Sequence, residues 1–416
     1  MKNVYLHTLA CEKRELDIAK IYAYLTKNNY KIVDSPANSD IIIFVTCAFI
    51  DEVANVNLEF VKFFQRYNAE LIVIGCLPTI EQKKLSKIFN GKTLDTKNLD
   101  KIDEFFPENK FKFKDIDDAN LTIDDLKESF KTTRLIKQYF KKGKLLNNIY
   151  YRTKKHVLKH IFKENSHIYN ILLNKKSFII RISWGCLGNC SYCAIKKAIG
   201  TLKSKPLEIC IQELEKGLKK GYRHVTIAAS DTGAYGLDID SSFPNLLEKM
   251  IEVPGNFELT IRDLSPIWFV KYFNDLDPIF KSGKLTEIDV PIQSANTRIL
   301  KLMNRYSDIE KIKECMKLLR KRYPKIRLNT HVIIGFPSET EEEFRETLQF
   351  LKEIDFYGGF IYPYSLKTGT PAENINPKNS EKVIKKRMRS TKKFLRDIGY
   401  NVFHVPKSNF FIFNKE

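Results

Sequence analysis

The sequence predicts an α/β protein: an N-terminal doubly wound parallel-sheet domain, then a partial TIM-type barrel of six βα units, (βα)6. Three observations predict it. The chain has 416 residues, enough for two or three domains. Short uninterrupted apolar runs alternate with helical patterns over the first hundred residues, as in strands buried on both faces. The same alternation resumes at Ser177 and yields six strand–helix units.

In order, Val4-Tyr5-Leu6-His7 reads as a strand and Leu16 to Thr26 as its helix. Asp40-Ile41-Ile42-Ile43-Phe44-Val45 is a second strand with a helix near Asn55 to Tyr67, and Glu70-Leu71-Ile72-Val73-Ile74-Gly75 is a third strand. The second series of strands begins at Phe178, His224, Phe257, Glu287, Leu328 and Phe360, with helices such as Leu207 to Lys220 and Thr340 to Ile354 between them. Chemistry in such folds gathers at the C-terminal ends of the strands. The expected domains are 1–105, a basic helical linker or insertion at 106–176, the barrel at 177–397, and a short tail at 398–416.

Lys and Arg number 70 against 50 Asp and Glu, a net charge of +20 that favours polyanionic partners such as RNA or simply reflects composition. Residues 131–176 hold thirteen Lys/Arg and a single carboxylate, Glu164, so this stretch alone carries +12. Tyr139, Phe140, Tyr150, Tyr151, Phe162 and Tyr169 are interleaved with those charges. That mixture suits phosphate contact with base stacking, and it equally suits a solvated amphipathic linker. No apolar run is long enough to span a bilayer and no signal peptide is evident, so a cytoplasmic protein without membrane contact is expected. The eight cysteines are then expected to stay reduced.

The strongest motif is Arg181-Ile182-Ser183-Trp184-Gly185-Cys186-Leu187-Gly188-Asn189-Cys190-Ser191-Tyr192-Cys193, directly after the first barrel strand. Three thiols spaced C-x3-C-x2-C can wrap one iron–sulfur cube and leave one iron open to another ligand. Zinc would need a fourth ligand, and the nearest His downstream is His224, inside an expected strand. Cys11, Cys47 and Cys76 each fall just past the end of an expected strand. On position alone they read as buried core thiols or as ligands gathered at one sheet edge. Cys210 and Cys315 fall in expected helices and read as core residues, and His156 with His160 makes a weak i,i+4 metal pair.

These motifs resemble the radical S-adenosylmethionine (radical SAM) superfamily and, within it, the MiaB/RimO methylthiotransferase family. The resemblance extends through Ser204-Lys205-Pro206, Ser230-Asp231-Thr232-Gly233-Ala234-Tyr235-Gly236, Pro291-Ile292-Gln293-Ser294, Met303-Asn304-Arg305-Tyr306, Gly335-Phe336-Pro337-Ser338-Glu339-Thr340 and Gly369-Thr370-Pro371-Ala372, in family order. Ala10-Cys11, Thr46-Cys47-Ala48 and Gly75-Cys76-Leu77 match the family's auxiliary-cluster cysteines. The chain departs from the family at Ala10 and Ala48, usually Gly, at Arg14 and Val45, usually Asn, and at His331, often acidic. The family commonly ends in a small RNA-binding barrel, TRAM; nineteen residues follow Asp397, so no TRAM domain is expected.

The resemblance implies a radical SAM barrel and two [4Fe–4S] clusters, one on Cys186, Cys190 and Cys193 and an auxiliary one on Cys11, Cys47 and Cys76. It implies S-adenosylmethionine contacts at Tyr192, Ser230, Asp231 and Arg305, and an electron donor such as flavodoxin or ferredoxin. The implied reaction inserts a methylthio group at an unactivated C–H bond. The motif wording is most similar to the archaeal/eukaryotic branch, which acts on threonylcarbamoyl-adenosine at position 37 of tRNA. A ribosomal protein or dedicated peptide is the alternative substrate, and a non-catalytic metal-stabilised RNA-binding protein the remote one.

Overall fold

Strands with no polar face demand cover on both sides, and the leading residues satisfy that demand. In the computed structural model, which describes residues 2–122, 177–404 and 409–415, the chain forms two compact units that meet in sequence at Ser177 and Phe178. The first contains β1 (Asn3–Leu9), α1 (Glu12–Lys27), β2 (Lys31–Ile32), β3 (Ile41–Thr46), α2 (Asp51–Phe64), β4 (Glu70–Gly75) and β5 (Lys92–Asp95). All five strands are parallel, in the order β2-β1-β3-β4-β5. Side chains alternate across a strand, so each helix meets a different set. Ile18, Ile21, Tyr24 and Leu25 of α1 pack with Val4, Leu6, Ile43 and Val45. On the other face, Phe60 and Phe64 of α2 meet His7 and Phe44, with ring centroids 5.3–6.2 Å apart.

His7 is thus an imidazole in an aromatic core. It is 4% exposed, and its Nε2 has no hydrogen-bond partner. Burial pushes its pKa down to about 3 from 6.5. Between those values the unfolded chain binds a proton that the folded chain refuses, so stability rises with pH across that window and is lost as pH falls through it. Acidification from about pH 7 to about pH 5 is expected to cost roughly 2 kcal/mol through this group alone. The His7→Phe variant should lose that slope, measured as urea midpoints at the two pH values; an unchanged slope would remove His7 as its source.

The second unit is built on β6 (Phe178–Arg181), β7 (Ser183–Trp184), β8 (Lys203–Ser204), β9 (His224–Ala228), β10 (Glu258–Ile261), β11 (Leu285–Asp289), β12 (Arg327–Ile334), β13 (Gly358–Pro363), β14 (Asn401–His404) and β15 (Phe411–Asn414). Six of these, β6-β9-β10-β11-β12-β13, pair as consecutive parallel neighbours. Amphipathic helices Leu207–Lys219, Phe243–Glu252, Ile309–Arg322 and Glu341–Ile354 follow the first, second, fourth and fifth of them. This is the expected six-unit partial barrel. Thr340 and Glu343 start the last of those helices with a reciprocal capping box.

Two features differ in detail from the sequence reading. Two-residue β2 and four-residue β5 extend the first sheet at both edges and are too short to show a period. Of the expected tail at 398–416, the described residues Asn401–His404 and Phe411–Asn414 are strands. Phe411, Ile412 and Phe413 are buried, and β14 and β15 form an antiparallel pair that joins the barrel sheet at β13. The basic segment 131–176, with His156 and His160, lies outside the described residues. Among the described residues, no helix is long and apolar enough to cross a membrane.

Candidate functional site

The loop after β6 is fastened before its cysteines are placed. Ser183 and Trp184 pair antiparallel with Ser204 and Lys203, closing a ribbon around the loop. Gly185 has φ +70, and a Cβ there would lie 1.7 Å from the carbonyl oxygen of Thr201, so only glycine fits. The Cys186 amide donates to the Gly200 carbonyl at 3.2 Å. Farther along, Ser191 donates its amide to Met303 and its hydroxyl to Leu302, and accepts from the Ala372 amide at 2.9 Å. Asn304 donates to the carbonyl of Asn189 at 2.8 Å. Segments over a hundred residues away hold the loop's shape, so its thiols need not find it anew on binding.

Within this frame the Gly188 amide donates to the Cys186 sulfur at 3.2 Å. A Cβ on Gly188 would stand 3.2 Å from that sulfur and 3.9 Å from that of Cys190, so the missing side chain leaves room beside two thiols. Burial, then the Asp231 charge, pushes the Cys186 thiol up to about 11, and burial likewise raises Cys193. Thiols crowded beside a carboxylate favour a cation among them, and metal coordination deprotonates them outright.

Asp231 and Arg305 complete the group. Asp231 follows β9, accepts from the Trp268 indole at 2.9 Å on Oδ2, and is 7% exposed. Its Oδ1 is buried without a hydrogen-bond partner, and burial raises its carboxyl. An unsatisfied buried acceptor of this kind suits a cationic ligand group. Ser230 stands half-buried beside it at the same strand end. Arg305 places Nη1 3.5 Å from the Cys190 sulfur and 3.4 Å from the Tyr192 hydroxyl, while Nη2 donates to the Pro291 carbonyl at 2.7 Å. Tyr192 packs edge-on to Phe336, and burial raises its hydroxyl, which suits a wall better than a base.

The sequence reading missed Trp268 as the partner of Asp231, and it did not single out Arg262 and Asp289 at neighbouring strand ends. Burial lowers the Arg262 guanidinium to about 10 against the pull of Asp289 and Asp263. Arg262 directly follows β10 and Asp289 closes β11. A charged residue at a barrel strand's C-terminal end was the signal available for both.

The second group of thiols belongs to the first unit. Register puts Leu9 opposite Thr46 and Thr46 opposite Gly75. Cys11, Cys47 and Cys76 therefore leave three adjacent strands at one level. Gly75 has φ +111, and a Cβ there would lie 2.4 Å from the Thr46 carbonyl oxygen, so the close approach needs glycine. Cys76 then donates its amide to that carbonyl at 3.1 Å. Cys11 is exposed at the N-terminus of α1, whereas Cys47 and Cys76 are buried.

A hydrogen bond from the Cys47 thiol holds Cys11 well below the usual thiol range, and the same contact pushes Cys47 up. Burial raises Cys76 to about 11. Among the described residues no three His, Cys, Asp or Glu side chains close on a point as a single metal ion requires. A cube of iron and sulfide is a wider ligand, held by thiolates at separate corners, and three strand-end thiols at one level fit it. Cys210 and Cys315 are buried within helices Leu207–Lys219 and Ile309–Arg322.

Comparison with known proteins follows this division. Residues 180–351 match the radical SAM superfamily and residues 3–94 match the uncharacterised protein family UPF0004. A probable threonylcarbamoyladenosine tRNA methylthiotransferase of Pyrococcus horikoshii is 26% identical, over 97% of this chain and 86% of the relative. A tRNA-2-methylthio-N(6)-dimethylallyladenosine synthase of Clostridium botulinum is 29% identical, over 95% and 82%. The ribosomal protein uS12 methylthiotransferase RimO of Thermotoga maritima is 28% identical, over 92% and 81%. Among solved structures, the radical S-adenosylmethionine methyltransferase TsrM of Kitasatospora setae superposes with a TM-score of 0.59 at 14% identity, covering 89% of this chain and 77% of that one. That likeness concerns the fold.

Proposed function

We propose that this chain is a radical SAM methylthiotransferase of the MiaB/RimO type and that it inserts a methylthio group into a modified adenosine of tRNA, at an unactivated C–H bond. Membership implies a [4Fe–4S] cluster and S-adenosylmethionine. The observation that carries the reading is the presence of two thiol trios, each at the C-terminal edge of its own parallel sheet. Cys186, Cys190 and Cys193 hold the first cluster, and Cys11, Cys47 and Cys76 hold a second. When bound, these groups supply a carbon-centred radical that removes a substrate hydrogen, and the sulfur that replaces it.

The chain's own residues do the rest. Asp231 offers its unpaired Oδ1 to the ammonium of S-adenosylmethionine, while Trp268 fixes the carboxylate plane. Arg305 joins the Cys190 sulfur to the Tyr192 hydroxyl and so sets the orientation of both. Tyr192 and Phe336 close one wall against water.

The tRNA substrate, of the threonylcarbamoyl-adenosine type at position 37, is supported by the net charge of +20 and by the Pyrococcus relative's near-complete coverage. Comparable identity to the Thermotoga uS12 enzyme supports a protein substrate as the second reading. Mass spectrometry of bulk tRNA nucleosides and of uS12 peptides, from cells with and without the gene, separates them. A gain of about 46 Da, one SCH3 for one H, is expected on the nucleoside. The same gain on uS12 alone would transfer the function to the protein substrate. Binding to tRNA should weaken by ~10³-fold or more between about 50 and 200 mM salt, and salt-insensitive binding would speak against an RNA substrate.

A further inference from the structure

Arg14 stands in the first turn of α1, three residues after Cys11, and is 4% exposed. Its amide donates to the Cys11 carbonyl at 2.8 Å, fixing the backbone beside that thiol. On one side its Nε faces the Asp17 carboxylate at 3.0 Å, inside a pair whose side chains are 5% and 4% exposed. Its Nη1 is buried and has no hydrogen-bond partner. The charges facing the guanidinium are Asp17 and the sulfurs of Cys76, Cys11 and Cys47. A buried guanidinium is costly to hold, and one ion pair seldom repays the cost. Arg14 has more donors than Asp17 uses, beside three sulfurs that become anionic when they bind iron.

We propose that Arg14 is a tuning residue of the Cys11/Cys47/Cys76 site: its buried guanidinium, paired with Asp17 on one side and open at Nη1, raises the reduction potential of the iron–sulfur cluster held there. The inference rests on the reading of these cysteines as cluster ligands. Reduction adds one electron to the cluster, from a low-potential one-electron donor, and no proton. The reduced state carries one more negative charge, which a fixed neighbouring cation stabilises more than it stabilises the oxidised state. Hydrogen bonds and net charge around the sulfurs are established levers on such potentials.

The test uses the full chain with Cys186, Cys190 and Cys193 replaced by Ala, so that only the N-terminal site loads, and follows reduction by electron paramagnetic resonance against potential. Arg14→Gln is expected to lower the midpoint by about 60 mV, a tenfold fall in the reduced-to-oxidised ratio at fixed potential. Arg14→Lys should keep most of the wild-type value. The double variant Arg14→Gln/Asp17→Asn leaves no orphaned carboxylate and should still titrate below the parent chain. If the parent binds no iron, the cluster reading itself is wrong. If it binds iron and neither Gln-containing variant shifts, the tuning role is overturned while the cluster stands. If both Gln-containing variants lose iron and Arg14→Lys keeps it, Arg14 is a structural prop and the proposal also fails.

Discussion

Replacing Cys190 with Ala is expected to abolish reductive cleavage of S-adenosylmethionine. Formation of 5′-deoxyadenosine with dithionite should fall by at least ~10³-fold, equivalent to about 4 kcal/mol on the barrier. Iron content of the anaerobically reconstituted chain should fall by about four atoms. The reason is local. The Cys190 sulfur is the one Arg305 touches, at 3.5 Å, and it lies 3.9 Å from where a Gly188 Cβ would be. The backbone of the loop is anchored elsewhere, through Ser191 to Leu302, Met303 and Ala372, so the truncation should leave the fold intact. Cys210→Ala is the control: it removes a fully buried thiol from helix Leu207–Lys219, costs core packing, and should leave the iron count unchanged. Deoxyadenosine formation at the parent rate in Cys190→Ala would end the assignment of this loop.

The second large effect separates two activities within one chain. Cys47→Ser should lose methylthio insertion by at least ~10³-fold while retaining deoxyadenosine formation within a few-fold. Cys47 is 2% exposed, follows Thr46 at the end of β3, and its thiol hydrogen-bonds the Cys11 sulfur. The cysteines of the other trio lie in the barrel unit, so the substitution leaves their loop unaltered. Serine keeps the side chain's size but lacks the soft thiolate that iron requires. The measurement is a single reaction assayed for both products, with the nucleoside read as a gain of about 46 Da. Methylthiolated product at the parent level would show that sulfur transfer does not pass through this trio.

How much of this was legible follows the range of the interaction. Strands such as Ile41–Thr46 and Glu70–Gly75 were legible because burial on both faces writes a continuous apolar run. The Cys186–Cys193 spacing was legible because its three thiols fall within eight residues. Strands β14 and β15 were not legible: they are four residues each, and only β13 gives them a partner. Arg14 was legible only as a departure from the family pattern; its burial was not, since a charged residue in the first turn of an amphipathic helix ordinarily faces solvent. Its burial beside Asp17 and the thiols exists only once α1 is laid on the sheet.

The sequence by itself determined the α/β alternation, the cysteine loop after the first barrel strand and its family. Those depend on residue order over short spans, where hydrophobic period and ligand spacing are fixed by local geometry. Tertiary structure decided that Leu9, Thr46 and Gly75 share one register, so that thiols from positions 11, 47 and 76 leave at one level. It also decided that Trp268 orients Asp231 and that Arg305 reaches Cys190, across 37 and 115 residues. Such contacts arise from the closing of parallel strands side by side, which no local pattern specifies, because each strand's neighbour is supplied by a distant part of the chain.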